Sequence, residues 1–378
     1  MSTIDKLRLI TIVCVTACLS LLSLVASVST AQAQQPVIAE PSLTAPFMET
    51  PLEPGDLARM YLALVPRSDL RYNKKSMQVL GTKIAYVDEG KGDAIVFIHG
   101  APESIYVWRN IMPYLEPYGR IVAFDLPGHG DSGKPDIEYT FSDYRKYVDA
   151  IMAELDLGDN IVLVIHDWGT VLGLDWARKN ENRVKGVAMM EALVAPFYPI
   201  LDVAEATKRK GKAGAVEHYR LYQQEIEKAR ALAVDQNLFI EQTMQVHTFR
   251  ELSQREMDAY RDPFRRLEDR IPLLMWAREV GLGGNRPVTD QAMNDYNAWM
   301  LKTDVKFLDI YGFPGEVSEE YDVRWRAERI KNIETAYVGL VLHFVQEDQP
   351  VATGRAMADW YRRNFAKDPK KWFTDAQP

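Results

Sequence analysis

Ile161-Val162-Leu163-Val164-Ile165-His166-Asp167-Trp168-Gly169-Thr170-Val171-Leu172-Gly173 is the stretch from which the fold can be read. Its first five residues are an unbroken apolar, mostly β-branched run, the pattern of a strand buried on both faces of a parallel sheet. A His-Asp-Trp-Gly turn follows, and Val171, Leu172, Leu174, Trp176 and Ala177 then recur at helical spacing. A strand that turns sharply into a helix lifts the side chain at the bend above the sheet, which is the geometry of a nucleophile elbow. Such elbows usually carry serine between two glycines. Here Asp167 stands at the apex, Gly169 follows it, Ile165 fills the place of the earlier glycine, and no Gly-x-Ser-x-Gly occurs in the chain. A carboxylate in that position is suited to attack carbon and form an ester. The plain alternative is Asp167 as an N-cap of the next helix.

Strand and helix patterns alternate on both sides of the elbow. Met77–Leu80 and Lys83–Asp88 flank Gly81-Thr82 as a hairpin. Ala94–Ile98 is an apolar run ending in His99-Gly100-Ala101-Pro102, where a strand exit leaves backbone N–H groups pointing outward. Tyr106–Leu115 and Phe141–Leu155 read as helices, and Arg120–Phe124 as a strand entering the turn-rich loop Asp125–Gly133. Asp125, His129 and Asp131 in that loop match no standard metal-ligand spacing, so they are read as loop-forming groups. Val184–Met190 is the next strand and carries Glu191 at its carboxyl end, where ligands gather in open α/β sheets. This alternation implies a doubly wound, mostly parallel sheet.

From about Leu193 to Trp276 the alternation stops. Helical, charged segments take over at Val203–Gly211, Val216–Leu232, Phe239–Val246 and Glu251–Tyr260, the makings of a lid that excludes water and shapes a pocket. Phe239, Met244 and Phe249 are its candidates for facing the cavity. A helix over Asp290–Lys302, with Thr289 as N-cap, restores the alternation. Strands at Val305–Tyr311 and Thr335–Val338 follow, and His343 falls in the loop after the last strand. Asp167, Glu191 and His343 thus stand in the order nucleophile, acid, histidine. Glu316, after the next strand, is the alternative acid, whereas Asp309 lies inside that strand.

The chain has 378 residues, 47% hydrophobic and 26% charged, ordinary globular material with length for a large core. Its formal net charge of −8 argues against nucleic acid or an anionic membrane as partner. Lys6 and Arg8 precede the apolar run Leu9–Val28, and Ala31-Gln32-Ala33 has the small-x-small form of a signal-peptidase site. Residues 1–33 are therefore expected to be a signal peptide, with an uncleaved anchor as the alternative. Both cysteines, Cys14 and Cys18, lie within it, so the mature chain would carry neither disulfide nor thiolate chemistry. Residues 34–69 read as an N-terminal arm or linker, 70–192 and 278–378 as the two parts of the core, and 193–277 as the helical cap. A periplasmic or secreted location is expected, with no stable membrane association after signal removal.

Several of these motifs together resemble the haloalkane dehalogenase family of α/β-hydrolases. They are His99-Gly100-x-Pro102 with Tyr106-x-Trp108-Arg109-Asn110, Asp125 to Ser132, Val164 to Gly169, Met190-Glu191-Ala192, Glu251 to Phe264, and His343-Phe344-x-Gln346-Glu347-Asp348. The resemblance implies an α/β-hydrolase fold with an inserted helical lid, and an Asp167–His343–Glu191 triad. Asp167 would displace halide from carbon, and His343, held by Glu191, would activate water to hydrolyse the ester. Backbone N–H groups of Ala101 and Trp168 would hold the oxyanion, the Trp168 indole would grip halide, and Phe239 and Ala277 would line the substrate pocket. The implied partners are a small apolar haloalkane and water, without metal or cofactor. Two positions depart from the pattern: Ala101 stands where asparagine is the usual second halide donor, and Ala277 replaces a lid proline. Glu103, close to Ala101, has the wrong charge to substitute. The same elbow serves epoxide hydrolases, a second reading that needs lid tyrosines as acids, drawn from Tyr198, Tyr219, Tyr222 and Tyr260. A third reading, a non-catalytic binder on this scaffold, leaves the trio without a purpose.

Overall fold

The elbow strand lies near the middle of one eight-stranded sheet. The computed structural model describes residues 66–209 and 212–366. The expected signal peptide, its two cysteines and all but the last few residues of the expected arm lie outside those residues. The strands are Lys75–Val79 (β1), Thr82–Glu89 (β2), Ala94–Ile98 (β3), Arg120–Phe124 (β4), Ile161–Asp167 (β5), Val184–Ala192 (β6), Lys306–Pro314 (β7) and Ile333–Val341 (β8). They are ordered β1-β2-β4-β3-β5-β6-β7-β8. β1 and β2 pair antiparallel, β2 joins β4 antiparallel, and every later pairing is parallel.

Side chains alternate across the strands and sort into two cores. Val96, Ile98, Leu163 and Ile165 face a layer that includes Phe141–Glu154 (α1), Trp168–Lys179 (α2) and residues such as Val216 and Trp276. Ile95, Phe97, Val162 and Val164 face the layer holding Trp108, Met357 and Trp360. All eight of these strand residues are essentially inaccessible to water, each contributing about 1.5–3 kcal/mol of burial. A capping box of Thr140 and Asp143 starts α1.

Among the described residues, no named strand lies between β6 and β7. That interval holds Val203–Lys208 (α3), Ala213–Gln224 (α4), Ile226–Arg230 (α5), Gln254–Arg261 (α6), Ile271–Glu279 (α7) and Pro287–Met300 (α8). A buried charge network pins α6 to the core. Arg109 reaches Glu347 at 2.5 and 2.8 Å and Glu256 at 2.8 Å, while Arg250 and Tyr260 close on the same carboxylates. Among the described residues no helix is long and apolar enough to cross a membrane.

Several local expectations are corrected. The helix expected over Tyr106–Leu115 is two short 3-10 turns, Ile105–Trp108 and Met112–Tyr114. Pro113 supplies no backbone N–H there, and Ser104 and Asp125 take the N–H groups of Tyr106 and Ile105 instead. Thr289 is not a cap. Pro287 opens α8, and the Thr289 hydroxyl donates to Glu279. The expected Val216–Leu232 helix is broken at Glu225 and continues as a π-turn over Ala231–Asp235. β8 runs well beyond Thr335–Val338, its apolar signal diluted because it is a half-exposed edge strand.

Candidate active site

Asp167 ends β5 with φ of 49°, a left-handed conformation that a side chain adopts only under constraint. Three close contacts impose it. A Cβ on Gly169 would lie 2.1 Å from the Ile98 carbonyl oxygen, and one on Gly100 would lie 2.3 Å from Asp167 Oδ1. The Thr170 hydroxyl donates to the Asp167 carbonyl at 2.6 Å and accepts the Leu193 N–H at 3.0 Å. Although Asp167 occupies the N-cap position of α2, its carboxylate makes no capping bond. Oδ1 instead accepts the Ala101 N–H at 2.9 Å. The plain cap reading of Asp167 is therefore set aside.

The loop after β8 brings His343 to this carboxylate. Nε2 lies 3.6 Å from Asp167 Oδ2, and Nδ1 lies 3.3 Å from Glu191 Oε2. Glu191 also has a positive φ, 43°. Its carboxylate is cradled by the N–H groups of Glu316 at 3.2 Å, Val317 at 2.6 Å and Ser318 at 3.4 Å. Glu316, the alternative acid, turns its own carboxylate to His247 and gives Glu191 only its backbone. Asp309 is paired with Arg326 at 2.7 Å.

Asp167 and His343 are each only 8% exposed. Burial pushes the Asp167 carboxyl above its usual range, against the pull of His343, His166 and the Ala101 N–H. Burial alone would lower His343, but the Glu191 hydrogen bond and the Asp167, Glu191 and Glu316 charges outweigh it and raise the imidazole to about 9.

A support beneath the triad carries no sequence signature beyond adjacency to Asp167. His166 Nε2 donates to the His343 carbonyl at 2.9 Å, and its Nδ1 lies 2.7 Å from Glu103 Oε1. Glu103 also accepts the Gly100 N–H at 2.8 Å. Glu103 thus holds up the loop that carries Ala101 and is spent within the protein. Asp125 accepts from Ile105, Asp131 and Lys74, and His129 accepts the Trp276 indole N–H at 2.8 Å.

On the opposite wall, Trp168 is nearly buried beside Trp276, with ring centroids 4.9 Å apart. Its backbone N–H is the first of α2 and has no intrahelical acceptor. Among the described residues no acceptor takes its indole N–H. Phe239, Met244 and Ala277 belong to one apolar cluster with Phe344, the neighbour of His343. Phe249, expected as a cavity candidate, is 52% exposed and is not part of that cluster. Of the four tyrosines, Tyr260 is committed to Glu347 and Tyr222 packs among His218 and Phe239. Tyr198 and Tyr219 share a hydroxyl–hydroxyl bond of 3.0 Å.

Residues 93–277 match the family described as the alpha/beta hydrolase fold. A haloalkane dehalogenase of Sphingobium indicum is 37% identical over 303 residues, spanning 77% of this chain and 95% of that protein. One from Mycolicibacterium smegmatis is 35% identical over 301 residues, spanning 77% and 91%. Among solved structures, haloalkane dehalogenase DbeA from Bradyrhizobium elkani superposes with a TM-score of 0.70 at 35% identity, covering 76% of this chain and 97% of that one. DatA from Agrobacterium tumefaciens C58 gives 0.69 at 31% identity, covering 79% and 99%.

Proposed function

This chain belongs to the haloalkane dehalogenases, hydrolases of carbon–halogen bonds on the alpha/beta hydrolase fold, and from that premise we propose how its own residues divide the reaction. The observation that carries the assignment is the alignment of the Ala101 N–H, Asp167, His343 and Glu191, with the histidine set between the two carboxylates. Asp167 Oδ2, the oxygen free of the Ala101 bond, attacks the halogen-bearing carbon and expels halide. Oδ1 becomes the carbonyl oxygen of the ester and already rests on the donor an oxyanion needs, with the Trp168 N–H as its companion.

Esterification also readies the base. An Asp167 ester has no charge, so one of the influences that hold His343 at about 9 disappears when the first step is complete. The imidazole then sheds its proton more readily and takes one from water, which attacks the ester carbonyl. Glu191, fixed by three backbone N–H groups, orients the ring and balances the imidazolium that forms. Alcohol and halide leave, and Asp167 is restored. On the leaving-group side the Trp168 indole N–H is the donor we assign to halide, since the Trp276 indole is spent on His129. The same reading makes residues 193–277 the cap over the site. From the charged start, apolar run and Ala31-Gln32-Ala33 we separately propose that residues 1–33 are an export signal, tested by the N-terminus of protein recovered from the periplasm.

His343→Phe keeps a ring and removes the base. Incubated with bromopropane, that variant should release one equivalent of bromide and accumulate a propyl ester on the peptide containing Asp167, visible by mass spectrometry. A folded variant that carries no adduct overturns the covalent mechanism.

A further inference from the structure

We infer that Lys212 is a positioning residue for ester hydrolysis: its buried ammonium grips, at their carbonyl ends, two of the peptide units whose N–H groups fix Glu191. The inference rests on the Asp167–His343–Glu191 reading above and adds a residue to it.

Lys212 stands immediately before α4, among the helices inserted between β6 and β7, and is only 1% exposed. A buried ammonium is costly unless each of its protons finds an acceptor. Here all three do. Nζ donates to the Glu316 carbonyl at 2.9 Å, to the Val317 carbonyl at 2.9 Å and to Asp322 Oδ2 at 3.1 Å. Glu319 Oε1 at 3.6 Å and the Phe197 ring, 5.1 Å to its centroid, complete the surroundings. A plain ion pair tying Lys212 to Asp322 on the helix Glu320–Ala327 accounts for one proton. Arg209 already serves that carboxylate, and the other two protons go to backbone.

The Glu316 carbonyl shares a peptide unit with the Val317 N–H, and the Val317 carbonyl shares one with the Ser318 N–H. Those two N–H groups donate to Glu191 Oε2 at 2.6 Å and Oε1 at 3.4 Å. Each unit is thus held at its oxygen by a cation and at its nitrogen by the triad acid. A hydrogen bond to the carbonyl polarises the amide and strengthens the bond its N–H gives, by about 10–30%. The ends of this loop are fastened separately. The Gly315 N–H donates to the Val341 carbonyl at 3.2 Å, at the end of β8. The Ser318 hydroxyl accepts the Ala192 N–H, at the end of β6, and Arg326, each at 3.2 Å. Lys212 holds the middle. Its effect on the reaction follows from the division of labour: Asp167 attacks carbon without help from the histidine, whereas water attack on the ester needs His343 oriented by Glu191. Slackening the cradle should therefore slow hydrolysis and spare ester formation, a split that general support of the fold would not produce.

The test follows both steps with bromopropane on the purified full chain, by rapid quench for the bromide burst and by mass spectrometry for the propyl ester on the Asp167 peptide. Lys212→Met removes the charge at nearly constant length. Lys212→Met/Asp322→Asn removes cation and partner together, so that folding does not rest on an unpaired buried carboxylate. Both should form ester within about threefold of the wild-type rate and hydrolyse it about 10- to 100-fold more slowly, the range for a catalytic group displaced by up to about 1 Å. Ester should then accumulate during turnover. Asp322→Asn alone keeps both carbonyl bonds and should hydrolyse within about threefold of wild type. In a Glu191→Gln background, Lys212→Met should slow hydrolysis by less than about threefold further, since two changes acting through one group do not add. Unchanged hydrolysis in the folded Lys212 variants, equal slowing of both steps, or the full effect in the Glu191→Gln background overturns this inference and leaves the dehalogenase reading standing. A folded wild type that yields neither bromide nor ester overturns both.

Discussion

Adding a single methyl group at Gly100 should disable the nucleophile while leaving the fold largely in place. The ideal Cβ at that position would stand 2.3 Å from Asp167 Oδ1, 2.5 Å from its Cβ and 2.8 Å from its Cγ. Ordinary contact begins near 3.4 Å, so the Asp167 carboxylate must retreat by about 1 Å or the Gly100 backbone must move by as much. Neither yields easily. The Asp167 backbone is locked by Gly169 against Ile98 and by Thr170, and the Gly100 N–H is held by Glu103 at 2.8 Å. Displacing a reacting group by about 1 Å costs on the order of 100-fold in rate. Overpacking of this kind costs about 1–3 kcal/mol of stability, a few degrees in melting temperature for a chain of this size. Gly100→Ala should therefore melt within about 10 °C of wild type yet form the alkyl ester at least about 100-fold more slowly, measured as the bromide burst in a rapid-quench experiment. A variant that retains burst rates within threefold of wild type would refute the claim that Gly100 exists to make room for the carboxylate.

Two other consequences can be measured directly. The attacking form of Asp167 is the carboxylate and its pKa is raised, so ester formation should decline on acidification at a pH above the ordinary aspartate range; an acid limb at or below that range would contradict the burial argument. His343, raised to about 9 in the folded protein, contributes stability that is complete below its unfolded value near 6.5 and lost as pH rises through about 9. Denaturant unfolding of the wild type should therefore lose more stability between those limits than unfolding of His343→Phe, a difference that vanishes if the imidazole is neutral at rest. Arg109→Ala strands Glu347 and shares the loss with Glu256 beneath α6, and breaking a buried pair typically costs about 3–5 kcal/mol; thermal unfolding that shifts by only a degree or two would show that Arg250 alone suffices.

The sheet and the elbow were readable from residue order because each is a local property. Apolar β-branched runs specify buried strands wherever they occur, and a strand running into Asp167-Trp168-Gly169 must bend. Glu191 and His343 were legible because strand ends in a parallel sheet converge on one edge. Interruptions that depend on distant partners were not legible. The 3-10 turns after Ser104 form because Asp125 captures the Ile105 N–H, and Thr289 turns inward to Glu279 rather than capping α8.

The choice of Glu191 over Glu316 was open until the loop after β7 folded back and spent three backbone N–H groups on one carboxylate and His247 on the other. Likewise, four tyrosines were equivalent as letters. Tertiary packing committed Tyr260 to Glu347, buried Tyr222 among other rings, and set Tyr198 against Tyr219. Side-chain chemistry and short-range periodicity travel with the chain, so the sequence alone determined the fold class and offered Asp167 and His343 together with two candidate acids. Which acid meets the histidine, and which tyrosine hydroxyls pair with each other, depends on contacts between segments roughly twenty to more than a hundred and fifty residues apart, and only the assembled structure decides those.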